Sequence, residues 1–577
     1  MRHIIIVFLI FSITINYAQT LVGDDQYSNK IHPSYNLYQI HKNNVGFKVG
    51  GIDFAPDGRM FVCTWDSLGA IYEFTNVSTG DTNQIKVTKV ASGLCEPLGI
   101  KWLNNSLYLF QRPELTKLTD SNNDGFMDTY QTIAASFGFN GNYHEFCFGL
   151  LYREGWFYGS LSTQRRVKYP HKPDRGSILR MDTLGNIEYL ANGFRTPNGL
   201  CFGPDSLLYV TDNEGEWLPS SKLNVVKKGA FYGFRNVDLD KTLDLVPEPP
   251  VVWMPQNEIA NSPSQPLIMQ DGPYKNQLIV GDVTYGGIKR IFIEKVDTVH
   301  QGCIFPFTQG LEGGINRMAW GPDGGLYVGA VGSVGNWGQA APKKRHGLEK
   351  LKYNNKSTFE MLAIRVTKEG FEIEFTEPLA TNIIPKATDF LMKHWRYVPN
   401  ERYGGPKIDE ENLLCQSTII NEKRTKINLK INGLKQGTVV YFEIPKYLKS
   451  KSGSSLWSQK AWYTLNKLPK GYKLLKTAKT TPVKPIKENK PIDISKGKSI
   501  INKNGCMTCH SIEQKIIGPS FKNVASKYPN NAKSINYLIK KIKNGGKGVW
   551  GEEEMSAQSQ LTAQELEVVV KYILSLK

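Results

Sequence analysis

The feature that most constrains the fold of this chain is a strand–turn–strand pattern that recurs six times before residue 331. Each copy has an apolar run, a tight turn of Pro, Asp, Asn or Gly, and a second apolar run. The copies are DFAPDGRMFV at 53–62, KWLNNSLYLF at 101–110, LLYREGWFYGSL at 150–161, CFGPDSLLYV at 201–210, PYKNQLIVGD at 273–282 and AWGPDGGLYVGA at 319–330. Hairpin repeats of about 40–50 residues are typical of propeller blades. The pattern predicts an all-β, six-bladed β-propeller over residues 30–353.

The spacing of the turns supports this architecture. The turns lie near positions 57, 104, 154, 205, 276 and 323, so that four of the five gaps are 47 to 51 residues. The fifth gap, of 71 residues, leaves room for an inserted loop. An irregular β-sandwich is the alternative, and the even spacing favours the propeller.

From Phe359 onward the pattern changes to strands that alternate apolar and polar residues, such as MLAIRV, FEIEFTEPL, KINLKINGL and VVYFEI. Such alternation is typical of half-buried strands. About 110 residues of it predict a β-sandwich module of immunoglobulin type over 354–466. No cluster in it suggests chemistry, so we interpret it as a spacer or docking module.

A basic segment follows at 467–492, with eight lysines, four prolines and one acidic residue, Glu488. Like charges repel and Pro stiffens the chain, which predicts an extended linker. The whole chain is also basic, with 71 Lys and Arg against 53 Asp and Glu and a net charge of +18. Its lysines gather in this linker and the last segment, without a basic stripe interleaved with stacking aromatics, so we expect no nucleic-acid partner.

The first residues predict export. Arg2 and His3 precede an apolar run from Ile4 to Ile15, which is followed by the small residue Ala18. The run is too short to span a bilayer, so residues 1–18 are interpreted as a cleaved secretory signal peptide. No later segment approaches 18 apolar residues. We therefore expect a protein of the periplasm or the secreted fraction without a transmembrane anchor.

Eight cysteines divide into two groups. Those at 63, 95, 147, 201, 303 and 415 stand singly, most of them in apolar runs, and are predicted to be small buried residues, with one disulfide as the alternative. The last two lie in GCMTCH at 505–510. A C-x-x-C-H run in an exported chain predicts covalent attachment of a c-type haem, an iron cofactor, through Cys506 and Cys509, with His510 as an iron ligand.

The second axial ligand is predicted to be Met555, in GGKGVWGEEEM. A thioether raises the potential of haem iron, as electron carriers require. The competing methionine, Met507, lies inside the attachment motif and is expected to point elsewhere.

Residues 493–577 resemble the small monohaem class I cytochromes c. The resemblance is carried by GCMTCH, by IGPSFKNVASKY, by the GVWG turn and by an amphipathic terminal helix that begins at a capping box, Thr562 with Glu565. It implies an all-α domain for electron transport with one covalent haem c, Pro519 and Trp550 beside the haem, and Met555 as ligand. The acidic residues 552–554 depart from the family, which often has Pro or apolar residues there.

Residues from about 45 to 350 resemble the glucose/sorbosone dehydrogenase family of propellers. Three stretches carry the resemblance: HEFCFGLLYREGWFYGSL from 144, GFRTPNGLCFGPDSLLYVTDNEGE from 193 and KLNVVKKGAFYGF from 222. The resemblance implies the cofactor PQQ with calcium, and His144 as the general base for a sugar hydroxyl. It also implies that Arg195 contacts cofactor and substrate, with Asn198 close by.

The match has one departure. Where that family has a Lys and paired Arg for the quinone carboxylates, DVTYGGIKR and LEGGINRMAW offer only Lys289, Arg290 and Arg317. Another cofactor, or none, therefore stays open. From the residues alone, a structural role for His144 or Arg195 also stays open.

A second metal site is suggested by DSNNDGFMD. Asp120, Asn122, Asp124 and Asp128 have the spacing of a calcium loop, although the twelfth position holds Gln131 instead of Glu. The alternative is a plain turn between strands.

Together these features predict an exported haem c electron-transfer protein. Its propeller would act as an oxidoreductase on CH–OH groups of a sugar or alcohol, and its cytochrome would pass the electrons to a periplasmic or membrane electron acceptor. The alternative is a non-catalytic binding propeller that localises a cytochrome.

Overall fold

The computed structural model describes residues 30–41, 48–65, 69–142, 144–164, 172, 174–332, 347–472, 496–504, 506–546, 548–551, 555, 557–558 and 561–576. Contacts divide the chain into two compact units, on either side of residue 477. The predicted signal peptide lies outside the described residues, as does the predicted linker after residue 472.

The first unit contains six sets of four antiparallel strands, which we call blades 1 to 6. After β1 (Tyr35–Gln39), blade 1 comprises β2 (Val49–Phe54), β3 (Met60–Thr64), β4 (Gly69–Thr75) and β5 (Lys86–Leu94). Blade 2 comprises β6 (Gly99–Leu103), β7 (Ser106–Phe110), β8 (Leu115–Thr119) and β9 (Thr129–Ala134). Blade 3 comprises β10 (Cys147–Arg153), β11 (Trp156–Leu161), β12 (Ser177–Asp182) and β13 (Ile187–Ala191).

The later blades complete the ring. Blade 4 comprises β14 (Leu200–Phe202), β15 (Leu208–Asp212), β16 (Ser221–Val225) and β17 (Val252–Met254), with the short helix α1 (Leu239–Thr242) between the last two. Blade 5 comprises β18 (Pro263–Ile268), β19 (Leu278–Asp282), β20 (Ile288–Val296) and β21 (Val299–Thr308). Blade 6 comprises β22 (Gly314–Trp320), β23 (Leu326–Gly332), β24 (Leu348–Tyr353) and β1. The first strand of each blade contacts the first strand of the next, and β22 contacts β2, so the six sheets close into a β-propeller.

Five of the six predicted hairpins are confirmed as the first two strands of a blade. In the second of them, Asn104 and Asn105 both have positive φ, as a two-residue turn between twisted strands requires. The fifth prediction is half wrong, because the strand before the turn is β18, further upstream than PYKN. The long gap in the repeat is filled by the connection between β16 and β17.

Blade 6 is closed by the N-terminal strand. β1 pairs antiparallel with β24, from Tyr35 opposite Tyr353 to Gln39 opposite Glu349. Beside this pair, Tyr35, Met269 and Met318 belong to one buried apolar cluster. The repeat pattern begins at blade 1 and did not predict this pairing.

The next eight strands form a β-sandwich. They are β25 (Met361–Thr367), β26 (Gly370–Phe375), β27 (Leu391–Arg396), β28 (Ile408–Leu413), β29 (Cys415–Ile420), β30 (Lys426–Ile431), β31 (Thr438–Glu443) and β32 (Lys460–Leu465). One sheet has the order β25-β26-β30-β29 and the other β28-β27-β31-β32. Phe371 packs edge-to-face on Phe442 and Tyr463 between the sheets, with both pairs of ring centres 5.0 Å apart. β32 also pairs with β21, so blade 5 and the sandwich share one eight-stranded sheet.

A buried polar cluster also joins the propeller to the sandwich. Glu360 accepts hydrogen bonds from Tyr274 and from Arg290 Nη2, the latter at 3.3 Å, and its Oε1 lies 2.9 Å from His32 Nε2. Burial alone would raise the pKa of Glu360, but Arg290 and His32 outweigh it and lower that pKa below its usual value. The carboxylate is therefore ionised and paired inside the protein.

The first residues of the predicted linker differ from the expectation. Lys467 N donates to Gln301 Oε1 at 2.7 Å, and the Tyr472 hydroxyl donates to the Ile431 carbonyl at 3.0 Å. Leu468 and Tyr472 pack against the sandwich core. Residues 467–472 are thus packed rather than extended.

The single cysteines are free thiols in the structure. Burial is confirmed for Cys63, Cys147, Cys201 and Cys303, whereas Cys95 is exposed. The alternative of a disulfide among them is not supported.

The second unit is helical. It comprises α2 (Lys496–Lys503), a 3₁₀ turn at Cys506–Thr508, α3 (Phe521–Lys527), α4 (Ala532–Asn544) and α5 (Ala563–Leu574). The predicted capping box is confirmed, because Thr562 Oγ1 accepts from Glu565 N at 3.2 Å and Glu565 Oε2 accepts from Thr562 N at 2.9 Å. Among the described residues, no helix of either unit is both long and apolar enough to cross a membrane.

Candidate functional site

The second unit encloses a mostly apolar cavity of about 280 Å³. Four side chains that line it carry atoms able to bond to a cofactor: Cys506, Cys509, His510 and Met555. The rest of the wall includes Ile501, Gly518, Pro519, Phe521, Leu538 and Trp550. The structure therefore brings together the four predicted haem-binding residues.

The two cysteines lie on one tight turn. His510 N donates to the Cys506 carbonyl at 3.0 Å, which closes the turn that carries both thiols and the imidazole. Gly518 N then donates to the Cys509 carbonyl at 2.8 Å. This second bond fixes the following Gly-Pro segment against the attachment motif.

His510 is held in one orientation. Its Nδ1 lies 2.7 Å from the Pro519 carbonyl oxygen, which can only accept, so the proton sits on Nδ1 and Nε2 keeps its lone pair. The ring stacks on Phe521, with ring centres 5.4 Å apart. A Cβ on Gly518 would come within 2.3 Å of His510 Cε1, so this close approach requires glycine.

Met555 reaches the cavity from a separate segment. Its backbone pairs with Gly546 in both directions, at 3.1 and 2.9 Å. Trp550 lies on the same wall, with the Lys527 ammonium 4.5 Å above its ring. Met507, by contrast, is 37% exposed and is not one of the described residues that line the cavity.

These residues fit a c-type haem. The cavity has an apolar wall that could cover a macrocycle, two thiols that could form thioethers, and an imidazole nitrogen and a thioether sulfur that could bind iron. Its geometry defines the second unit as a haem c-binding electron-transfer domain.

The segments that precede the first strands of neighbouring blades lie at one end of the ring and form a polar rim. We call this rim the mouth. His144 precedes β10 and Arg195 precedes β14, so both lie at the same end of the ring. Ser162 Oγ donates to the His144 carbonyl, and the next residue, Thr163, donates its N–H to the Arg195 carbonyl at 2.9 Å. The structure thus places the two predicted catalytic residues on adjoining blades.

Arg195 is buried among acidic residues. Its Nη1 donates to the Glu214 carbonyl at 2.7 Å, and Asp212 accepts from Arg195 N at 3.2 Å and Thr196 N at 2.8 Å. Burial raises the pKa of Asp212 to about 6, against the opposing effect of Lys222 and these N–H groups. The mouth therefore carries a carboxyl group that titrates near neutral pH.

Asn198 lies among residues that link blades across the centre of the ring. Arg317, on β22, donates to Asn198 Oδ1 and to the Leu98 carbonyl, both at 2.8 Å. Asn316 Nδ2 donates in turn to the Val49 carbonyl at 2.9 Å. Burial lowers the pKa of Arg317 to about 9, against the opposing effect of the Cys63 thiol.

Several buried polar atoms of the mouth have no hydrogen-bond partner among the described residues. They are Glu145 Oε1, Arg195 Nε, Thr196 Oγ1 and Asn213 Oδ1. Unpaired buried polar atoms are rare in native proteins, and a polar ligand would satisfy them. These atoms give the mouth hydrogen-bonding capacity toward a polar ligand.

The cations that the resemblance requires for PQQ are not assembled there. Arg290 is bound to Glu360 and the Leu362 carbonyl on the sandwich side of blade 5, and Lys289 Nζ donates to the Gly286 carbonyl at 2.6 Å. Only Arg317 of the three lies beside a predicted site residue, Asn198. Of these three cations, only Arg317 therefore lies at the centre of the ring among the described residues.

In the predicted calcium loop, side-chain oxygens accept hydrogen bonds from N–H groups of the loop's own backbone. Asp120 accepts from Asp124 N and Gly125 N at 3.2 and 2.9 Å, and Asp128 accepts from Ser121 N at 3.0 Å. Asn122 Oδ1 likewise accepts from Asp124 N. Within the described ranges, no group of three or more His, Cys, Asp or Glu side chains could hold a metal ion. Calcium at this loop stays a prediction.

Sequence reasoning missed Tyr403, which the sandwich contributes to the mouth. Its hydroxyl donates to Glu214 Oε1 at 2.9 Å. Glu214 lies in the stretch from 193 that carries the family resemblance, but Tyr403 belongs to no recognised motif, and more than 180 positions separate the two residues. No sequence signal could have paired them.

Comparison with known proteins places the second unit in a family. The sequence model of the family Cytochrome c matches residues 494–577. Cytochrome c-552 of Hydrogenobacter thermophilus is 40% identical over 78 residues, which are 14% of this chain and 79% of that protein. Cytochrome c-551 of Allochromatium vinosum is 38% identical over 77 residues, 13% of this chain and 82% of that protein. Through this segment the chain belongs to the cytochrome c family.

The first unit is similar to a solved structure. The PQQ-bound aldose sugar dehydrogenase of Streptomyces coelicolor is 15% identical, and the match covers 56% of this chain and 100% of that chain with a TM-score of 0.43.

Proposed function

We propose that this protein is an exported oxidoreductase whose propeller oxidises a sugar or related alcohol and passes the electrons to its own cytochrome domain. A periplasmic or membrane electron acceptor would then reoxidise the haem. The observation that carries the proposal is the cavity lined by Cys506, Cys509, His510 and Met555. Export is supported by the signal-like first 18 residues. It is also supported by the C-x-x-C-H motif, because covalent haem attachment at this motif accompanies export.

In the cytochrome domain, Cys506 and Cys509 would form the thioether links, and His510 Nε2 and Met555 Sδ would be the axial ligands. Bound there, haem c supplies one-electron exchange. Pro519 and Phe521 hold the imidazole in place. The apolar wall excludes water, which together with a thioether ligand raises the reduction potential.

The ligand assignment is tested by Met555→Ala. The variant should lose the weak near-infrared charge-transfer band of Met–Fe(III) ligation, while covalent haem is retained. Met507→Leu is the matched control and should keep the band. An unchanged band in Met555→Ala would reject Met555 as the ligand.

In the propeller, His144 would take the proton of the substrate hydroxyl as general base. Arg195, with its free Nε, would bind an oxygen of the substrate or cofactor. Oxidation of a CH–OH group to a carbonyl releases two electrons, so the mouth must also hold a two-electron acceptor of the quinone class. PQQ with calcium is the pair implied by the family resemblance and is the first to be tried.

A second candidate function is a non-catalytic propeller that binds a glycan or partner and localises the cytochrome. It is supported by the engagement of Arg290 with Glu360 and of Lys289 with the Gly286 carbonyl, since both are cations that the family resemblance would assign to PQQ. The two functions are separated by following the haem absorbance of the full-length protein with a panel of aldoses and alcohols, with and without added PQQ and calcium. Substrate-dependent reduction supports the oxidoreductase. Substrate binding in calorimetry without reduction supports the binding module.

We also assign the sandwich to the immunoglobulin type. Its sheets have the orders β25-β26-β30-β29 and β28-β27-β31-β32. In chain order these correspond to strands A-B-E-D and C′-C-F-G of that fold. The core between the sheets, with Phe371 and Tyr463, supports the assignment.

A further inference from the structure

One loop of the sandwich lies along the propeller mouth. Residues 397–407 connect β27 to β28, and three backbone hydrogen bonds join this loop to the loop between β15 and β16 of blade 4. Trp217 N donates to the Asn400 carbonyl at 2.7 Å, Gly404 N to the Gly215 carbonyl at 3.0 Å, and Gly405 N to the Pro219 carbonyl at 2.8 Å. The sandwich loop is therefore fixed on blade 4.

Tightly fitted glycines hold this contact in place. Gly404 has a φ of 68°, in the left-handed region that favours glycine. A Cβ on Gly405 would come within 2.7 Å of Pro219 Cβ. The loop cannot approach blade 4 as closely with other residues at these two positions.

Tyr403 is the side chain that this loop delivers. Its hydroxyl donates to Glu214 Oε1 at 2.9 Å, and its ring lies 5.1 Å from the Arg195 guanidinium carbon. The other oxygen of Glu214 accepts from Ser221 Oγ at 2.6 Å. Tyr403 therefore touches both the buried acid and the buried cation of the mouth.

Among the described residues, the Arg195 side chain makes one hydrogen bond besides its contact with Tyr403. Its Nη1 donates to the Glu214 carbonyl at 2.7 Å, and its Nε has no partner among the described residues. The stem of the side chain packs closely on Gly215, where a Cβ would come within 2.3 Å of Arg195 Cδ. The Tyr403 ring adds a contact at the guanidinium itself, with its ring centre 5.1 Å from the guanidinium carbon, and such cation–π contacts are attractive.

We propose that Tyr403 is a positioning residue for the propeller site: it orients Arg195 toward the ligand, and the sandwich is part of that site instead of a spacer. The effect on turnover rests on the proposed oxidoreductase function. The orientation of Arg195 does not.

The experiment uses the full-length haem-loaded protein and three variants. Tyr403→Leu removes the ring and the hydroxyl, Tyr403→Phe keeps the ring, and Arg402→Gln is a control on the same loop with an exposed side chain. If Tyr403→Leu does not fold, Tyr403→Met replaces it, because Met fills the space without an aromatic face.

The first measurement needs no activity. Crystal structures should show the Arg195 guanidinium displaced from the Glu214 carbonyl in Tyr403→Leu, and in place in Tyr403→Phe and Arg402→Gln. An unmoved Arg195 in Tyr403→Leu overturns the proposal. A displaced Arg195 supports the proposal even if no substrate reduces the haem of the unmodified protein. The absence of such haem reduction would count against the oxidoreductase function alone.

The second measurement is substrate-dependent haem reduction. Tyr403→Leu should raise KM roughly tenfold with kcat changed less than about threefold, because loss of one such contact amounts to roughly a factor of ten in binding. Tyr403→Phe should restore KM to within about threefold, the ring being the larger contribution. An unchanged KM in Tyr403→Leu overturns the proposal, whereas loss of kcat alone would indicate a different role.

Discussion

The two units of this chain assemble their candidate sites differently: the cytochrome unit uses residues that are close in sequence, and the propeller uses residues that are far apart. In the cytochrome unit, Cys506, Cys509 and His510 lie on one turn, and Met555 joins them from a nearby loop. In the propeller, the mouth is assembled from several blades and from the sandwich, through residues as far apart as His144 and Tyr403. A site within one turn can be inferred from its spacing, while a distributed site becomes visible only when the fold brings its residues together.

The sharpest test of the local site is removal of both thiols. A Cys506→Ala, Cys509→Ala double variant should lose all covalently bound haem, because no sulfur remains to form a thioether. Haem staining after denaturing electrophoresis and the mass of the intact protein measure this. Cys95→Ala, at an exposed thiol of the first unit, is the control and should retain the haem. Covalent haem on the double variant would show that the motif is not the attachment site.

The distributed site is tested at His144. If it is the general base, His144→Ala should lower sugar-dependent turnover by roughly 10²–10⁴ while the haem spectrum stays the same. His300→Ala is a suitable control, because His300 lies on β21, paired with Asp205 at 3.3 Å. Full turnover in His144→Ala would show that His144 is not the general base, and the propeller would then have no assigned catalytic residue of that kind.

The joint between propeller and sandwich provides the next largest effect. Glu360→Gln leaves Arg290 and His32 buried without their anion, and breaking such a pair costs about 3–5 kcal/mol. Chemical denaturation of the full chain followed by tryptophan fluorescence measures the free energy of unfolding. Glu377→Gln, at an exposed carboxylate that accepts from Ser357 and Ser452, should change it by less than about 0.5 kcal/mol.

The same carboxylate gives a pH dependence. Because the folded-state pKa of Glu360 lies below its unfolded value, its stabilisation is present above the usual Glu pKa of 4.5 and is lost as the pH falls through the folded-state pKa. The unmodified protein should therefore lose stability on acidification below about pH 4.5. Glu360→Gln should show a shallower slope there, and an identical slope would mean that Glu360 is not ionised in the folded protein.

The smallest effect is expected in the cytochrome unit. Thr562→Ala removes the side-chain cap of α5 and should cost about 1 kcal/mol of the stability of that unit. Thermal unfolding monitored at the haem absorbance measures it. Thr562→Ser keeps the hydroxyl and should restore most of the loss; equal destabilisation by both variants would show that the cap does not contribute.

These contrasts explain how much could be predicted from the sequence. The five hairpins and the capping box of α5 depend on residues close in sequence, and all of them were predicted. The pairing of β1 with β24 and of β32 with β21 could not be, since strand pairing between distant segments leaves no periodic signal. The packed start of the linker was not predicted, because Lys467 and Tyr472 lie in a segment whose Lys- and Pro-rich composition continues through the rest of the linker. The role of Arg290 could not be predicted for a related reason: only the fold shows that its partner is Glu360.

The closure of blade 6 has a consequence for how the molecule is made. β1 leaves the ribosome first, yet its partner β24 is the last strand of the ring to be synthesised. Until then the sixth sheet has an open edge, and open edges invite pairing between chains. Folding of the propeller would thus end in one late, long-range pairing that completes blade 6. Loss of residues 30–41 would expose β24 as the edge of that sheet and leave an intact haem domain attached to an aggregation-prone propeller.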